Sequence, residues 1–319
     1  MTAPNVTQKL VVMAGRRWMQ NWNAAIVICA ILCSCAAPAA ETLPERKILA
    51  QEKSPFALIT VSEGDGKRYI SIGGQEQSAL DLSNKRQWVY TYTYLLSLGI
   101  LARAPEAPNQ PVRCLMIGLG GGSFADFLAD TFPDWKIRVV EIDPVIIRLA
   151  RQYFPIHKRI EIVQGDGRVF LQKSREKYDI IIMDAFGEHF IPPALYTLEF
   201  FRLMKSRLNP KGMVLMNAWE NAALDKRELA TLSRIFEKGF YLHHSQERPG
   251  NRIYLLGAEM AAESIIKKRI SENFIKWNFP GEAPEKILAE MQSLQTSLNQ
   301  AEPITDANVR ALLKKTPIN

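Results

Sequence analysis

CLMIGLGGGS, residues 114–123, followed by VVEIDP, residues 139–144, decides how this chain is read. An apolar strand runs into a glycine-rich turn, the turn opens a helix, and the next strand ends in a carboxylate. Gly118, Gly120, Gly121 and Gly122 carry no Cβ, so the backbone there can take positive φ and lie against a flat ligand. The helix that follows offers unpaired N–H groups. Glu141 then stands where an acid takes both hydroxyls of a ribose, as in nucleoside-binding βαβ units.

Two further segments agree with this reading. RIEIV, residues 159–163, reads as a strand and is followed by Gln164, Gly165, Asp166 and Gly167; YDIIIMD, residues 178–184, is an apolar strand that again ends in an acid. In an open parallel sheet the ligand lies beyond the carboxyl ends of the strands. Four successive strand ends therefore place the glycine turn, Glu141, Asp166 and Asp184 around one crevice.

Strands and helices alternate from residue 112 to about 257, a helix over 194–208 precedes a turn at 209–212, and a strand follows over 213–217. The last pair of strands, 240–244 and 252–256, forms a hairpin. That hairpin makes the sheet mixed and seven-stranded, so the fold expected is α/β of the methyltransferase-type, Rossmann-like kind rather than a plain dinucleotide-binding sheet. Upstream, 56–61 and 67–72 read as a β-hairpin and 88–101 as a helix, so a small N-terminal β-domain is expected over 55–104. The remaining divisions are a leader over 1–35, a linker over 36–54, a nucleoside-binding domain over 112–258 and a helical extension over 259–319.

The leader is a different material from the rest. Lys9, Arg16 and Arg17 precede the first acid, Glu41, and account for part of the formal charge of +7. AAIVICAIL, residues 24–32, is too short to span a bilayer but suits the apolar core of a secretory signal. Leu32-Cys33-Ser34-Cys35 resembles a lipobox, with Cys35 receiving lipid, so the expectation is a protein attached to the membrane by its N-terminus and facing the periplasm or cell exterior. A signal anchor, cleavage in the Ala-rich stretch that follows, a twin-arginine signal at Arg16-Arg17, and a cytoplasmic protein starting at Met13 or Met19 remain open alternatives. No stripe of Lys and Arg interleaved with aromatics suggests nucleic acid as a partner. His157, His189, His243 and His244 lack metal-ligand spacing, so no metal is expected, and Cys114 reads as a small buried hydrophobe.

These residues resemble the spermidine synthase family of aminopropyltransferases over roughly 54–257. The likeness rests on IGLGGGS, VVEIDP, GDGRVFL at 165–171, YDIIIMD, the run LYTLEFF at 195–201, and Gln77 in IGGQEQ. The resemblance implies a transferase of polyamine biosynthesis that binds decarboxylated S-adenosylmethionine or S-adenosylmethionine as co-substrate and takes a small amine such as putrescine as acceptor. It implies that Glu141 holds the ribose with Ile142 beside it, that Asp166 and Gly167 meet the adenine end, and that Gly118, Gly120 and Gly122 flank the sulfur. It also places Gln77 at the donor, Tyr92 in the amine pocket, and Asp184 on the floor with a catalytic role, Glu188 being a displaced second base. Relatives of this kind are often dimers or tetramers, which leaves a homo-oligomer open.

The departures matter as much. Gly121 replaces an acid that meets the donor's amine, Gly187 replaces the aspartate that deprotonates the acceptor, and Trp88-Val89 replace an acidic pair. Three functions therefore stand side by side: aminopropyl transfer, methyl transfer from S-adenosylmethionine, and nucleoside binding by a lipoprotein that has lost turnover.

Overall fold

The computed structural model describes residues 46–103, 111–187, 191–220, 224–246, 250–257, 259–294 and 301–315. The leader, Cys35 and Glu188 lie outside the described residues. Four antiparallel strands come first, β1 Lys47–Lys53, β2 Leu58–Gly64, β3 Lys67–Ile72 and β4 Gln75–Asp81, paired in that order. The expected hairpin is the middle of this sheet. Its outer strands, KILAQEK and QEQSALD, are mostly polar and half exposed, as edge strands are, and β1 falls within the last part of what reads as a linker over 36–54.

Helix α1, Thr91–Leu101, is three residues shorter than the apolar run suggests. The alternation that follows is β5 Arg113–Ile117, α2 Ser123–Thr131, β6 Lys136–Glu141, α3 Pro144–Tyr153, β7 Glu161–Gln164, α4 Gly167–Lys173 and β8 Tyr178–Met183. The expected helix over 194–208 is a short 3-10 turn, Pro193–Leu195, and then α5, Leu198–Ser206, because Thr197 caps a new helix by accepting from the Phe200 amide. Strand β9, Leu208–Trp219, runs straight through the expected turn at 209–212. The extra residues are absorbed as an irregularity against β8, where pairing jumps from Tyr178↔Leu208 to Ile180↔Met213. Then come α6 Asp225–Ser233, β10 Lys238–His243, β11 Asn251–Gly257, α7 Glu263–Lys276, α8 Glu285–Glu290, β12 Gln292–Ser293 and α9 Val309–Lys315.

The large sheet has eight strands in the order β12-β10-β11-β9-β8-β5-β6-β7. The expected seven are present, and the eighth is the two-residue β12 on the edge at β10, inside the segment over 259–319 that reads as a helical extension. Strands β9, β8, β5, β6 and β7 are parallel, and β11 runs antiparallel between β9 and β10. β5 and β8 are apolar throughout their inner length because helices cover both faces. Their alternate residues divide between two cores. Cys114, Met116, Ile180 and Ile182 join α1, α2, α3 and α7, whereas Leu115, Ile117, Ile181 and Met183 join α4, α5 and α6.

The four-stranded sheet is tied to α3 through Arg68, which donates to the Tyr153 carbonyl, and through Tyr153 Oη, which donates to the Leu49 carbonyl at 3.2 Å. It is tied to the glycine turn through β4. A Cβ on Gly120 would stand 3.1 Å from Ser78 Cβ, and the hydroxyls of Ser78 and Ser123 are 3.3 Å apart. The small sheet thus walls the carboxyl end of the large one. Among the described residues, no helix is long and apolar enough to cross a membrane.

Candidate functional site

The turn after β5 is built by contact between strand ends. Gly118 has φ +99°, its amide donates to the Val140 carbonyl at 2.9 Å, and a Cβ there would lie 2.1 Å from the carbonyl oxygen of Asp184. No side chain fits between β5 and β8 at this point. Gly122, at φ +74°, is the left-handed residue from which α2 departs. Gly121 is different: its φ is ordinary, and a Cβ on it would press on the Phe154 ring at 2.8 Å. The position therefore points at a buried aromatic ring, and an aspartate there requires Phe154 to move.

Glu141 ends β6 and is only 6% exposed. Its Oε2 accepts from the Leu119 amide at 2.8 Å and its Oε1 from the Asp143 amide at 2.9 Å. The acid thereby fastens the glycine turn to its own strand. Burial raises its pKa above the usual range, and the two amides oppose that rise. A carboxylate has about four acceptor positions, so Glu141 keeps capacity for a further donor such as a ribose hydroxyl. Asp143 caps α3, its Oδ1 accepting from the Val145 amide at 2.8 Å.

Asp166 caps α4 in the same manner, with Oδ1 accepting from the Val169 amide at 2.9 Å. Its second oxygen is left for another donor. Gly167 lets α4 start against the end of β5, where a Cβ would meet Ile117 Cγ2 at 2.4 Å. Ile142 and Val169, next to the two acids, are both 42% exposed although large and apolar. Such a pair beside two acceptors suits the face of a planar base. Val169 is not singled out by sequence, where it reads as an ordinary helix residue.

Asp184 follows β8 and is half-buried. Burial pushes it up from an ordinary 3.8 to about 6, opposed by Asn217, whose Nδ2 donates to Oδ1 at 2.9 Å. Asn217 is itself held by Asn251, which donates to Asn217 Oδ1 at 2.9 Å. Sequence reasoning misses both asparagines. A signal was present: β8 and β9 each end an apolar run in a polar residue, and the Met183↔Met216 register sets those two residues side by side.

Gln77 is the unpaired residue of a β-bulge, since β3–β4 pairing passes from Ser71↔Glu76 to Ile70↔Ser78. The bulge turns out its carbonyl, which accepts from Tyr92 Oη at 2.8 Å. Burial and the nearby Asp184 charge hold the Tyr92 hydroxyl well above its ordinary pKa, so it is a neutral donor. Trp88 serves packing: its ring meets Phe127 edge-on at 4.4 Å and its Nε1 donates to the Pro280 carbonyl at 3.1 Å. The structure thus gathers the glycine turn, Glu141, Asp166, Gly167 and Asp184 at one end of the sheet, with Gln77 and Tyr92 on the wall beside Asp184.

At the outer side of that end, Arg252 reaches Glu220 at 3.2 Å and Asp225 at 3.4 Å through Nη2, and Tyr254 Oη at 3.0 Å through Nη1. These bonds fasten both ends of the segment between β9 and α6 to β11.

Comparison with known proteins bears on the family and the fold. The spermine/spermidine synthase domain family matches residues 109–244. The polyamine aminopropyltransferase of Vibrio vulnificus is 31% identical over 245 residues, 73% of this chain and 79% of that protein. A probable spermidine synthase from Corynebacterium glutamicum superposes with a TM-score of 0.68 at 23% identity, covering 82% of this chain and 97% of its own. Human methyltransferase-like protein 13, solved in complex with SAH, shares the fold at a TM-score of 0.54 and 24% identity, covering 62% of this chain and 98% of its own. On its sequence likeness to curated relatives, and in keeping with the shared fold, the chain is a transferase and belongs to the polyamine aminopropyltransferase (spermine/spermidine synthase) family.

Proposed function

We propose that this chain transfers the aminopropyl group of decarboxylated S-adenosylmethionine to a diamine of the putrescine kind. The observation that carries the reading is Asp184, a half-buried carboxyl at the end of β8 that is held by Asn217, has a raised pKa and follows the main-chain contact with the glycine turn. The donor's nucleoside lies over Ile142 and Val169, its ribose on Glu141 and its adenine amine at Asp166. The acceptor's nitrogen lone pair forms a bond to the propyl carbon attached to the donor's sulfonium sulfur. The carbon–sulfur bond breaks with its electron pair going to sulfur, which leaves methylthioadenosine. The amine's proton passes to the Asp184 carboxylate and then to water, a general-base role suited to a group that is ionised above pH ~6. The sulfonium is attracted to the acids while it carries charge and released once it is a neutral thioether.

Methyl transfer is the second reading, and Gly121 is the observation that favours it. Without an acid at that position, the carboxylate of intact S-adenosylmethionine meets less repulsion. Calorimetry with the two donors separates the readings: tighter binding of the decarboxylated donor supports aminopropyl transfer, and tighter binding of S-adenosylmethionine contradicts it. Glu141→Ala is expected to abolish measurable binding of either donor by the same method. It is also expected to cost about 1–3 kcal/mol for each buried amide left without an acceptor, at Leu119 and Asp143. Retained nucleoside affinity in that variant rejects the ribose assignment.

A further inference from the structure

Two acids stand at opposite ends of a tyrosine wall. The inner acid is Asp184, whose charge acts on the Tyr92 hydroxyl. Tyr90 stacks against Tyr92 with ring centroids 6.0 Å apart and planes 18° from parallel. Beyond it, Tyr90 Oη donates to Glu76 Oε2 at 2.5 Å, and Glu76 Oε1 pairs with Arg46, whose guanidinium lies 3.6 Å over the Tyr69 ring. Glu76 is exposed, whereas Tyr90, Tyr92 and Asp184 are half-buried, so the tyrosines stand between the exposed acid and the half-buried one.

Every part of the wall is fixed independently of a ligand. Tyr92 is anchored on the Gln77 carbonyl, Tyr90 on Glu76, and β4, which carries Glu76 and Gln77, sits against the glycine turn through Ser78. Glu76 needs a reason to be placed there. Positions 88, 89, 121 and 187 carry Trp, Val, Gly and Gly, so none of them supplies a charge to the far end of a cationic acceptor. Tyr90 and Arg46 use one oxygen of Glu76 each, leaving an acceptor position on both, and the tyrosine faces attract an ammonium in addition.

We propose that Glu76, held by Tyr90, is the outer half of the acceptor site and pairs with the distal ammonium of a linear diamine or polyamine whose other nitrogen reaches Asp184. The proposal rests on the aminopropyl-transfer reading and names the residue that holds the second cationic nitrogen of its acceptor. Glu76 selects among acceptors and takes no part in bond making.

The test compares kcat/KM for putrescine and for butylamine, at saturating decarboxylated donor, in the wild-type chain and in Glu76→Gln. The ratio of diamine to monoamine efficiency is expected to fall about tenfold, the size of one charge-assisted hydrogen bond. The fall should appear in KM for putrescine. Tyr90→Phe, which frees Glu76 from its anchor, should lower the ratio in the same direction and reads the site if Glu76→Gln does not fold. A ratio equal to that of the wild type in both variants overturns the assignment of Glu76 and leaves aminopropyl transfer standing. A wild-type chain that transfers to neither amine overturns both.

Discussion

Asp184→Asn is expected to lower transfer by about 10²–10⁴-fold, the range for removal of a general base, while leaving the fold more stable at pH 8. The two effects share one cause. Asp184 has a folded pKa of about 6 against an ordinary 3.8, so its neutral form is the one the fold favours. The stabilisation from binding that proton is full below pH ~3.8 and is lost as pH rises through ~6; above that, the wild type carries the cost of a buried charge. A shift of this size corresponds to at most about 3 kcal/mol. Asparagine keeps an oxygen for Asn217 Nδ2 and removes the charge, so Tm at pH 8 should rise by a few degrees. For the same reason the wild-type rate should rise with pH through about 6. Loss of activity accompanied by a lower Tm at pH 8 shows that Asp184 is structural; full activity shows that it is not the base.

Gly118→Ala should have the largest effect on folding. Its Cβ would stand 2.1 Å from the Asp184 oxygen, 2.8 Å from the Asp184 carbonyl carbon and 3.1 Å from Ala185 Cα, all main-chain atoms that no rotamer can move aside. The backbone at φ +99° adds strain of its own. Together these are expected to exceed about 4 kcal/mol and to lower Tm by roughly 10 °C or more. The damage falls on the site as well, since relief requires Asp184 to shift. Gly165→Ala is the control in Tm: it has an ordinary φ and nothing within 4 Å of the added methyl. Equal melting temperatures for the two variants contradict the close approach of β5 and β8.

What the sequence makes legible follows from how local each feature is. The glycine turn, Glu141, Asp166 and Asp184 are readable because an apolar run, a turn and a terminal acid are neighbours in the chain. Strands β1 and β4 are not, because polar edge strands owe their conformation to the partner they pair with. The two-residue β12 has no pattern at all apart from its pairing with β10. The helix predicted over 88–101 starts late because Trp88 is committed to Phe127 and the Pro280 carbonyl, far along the chain. Asn217 meets Asp184 only through the register of two adjacent strands. Glu76 reads as the neighbour of Gln77 until the bulge and the Tyr90 bond give it a place. Gly121 reads as a lost acid; the position of Phe154 explains why an acid cannot simply be restored.

The central claim is that an amine at Asp184 attacks the propyl carbon of a decarboxylated donor. Mass spectrometry of the acceptor after separate incubations of putrescine with each donor tests it directly. The structure-based reading predicts putrescine enlarged by one aminopropyl group, with methylthioadenosine released in equal amount, from the decarboxylated donor alone. Putrescine or another acceptor enlarged by a methyl group from S-adenosylmethionine, with S-adenosylhomocysteine released, contradicts it.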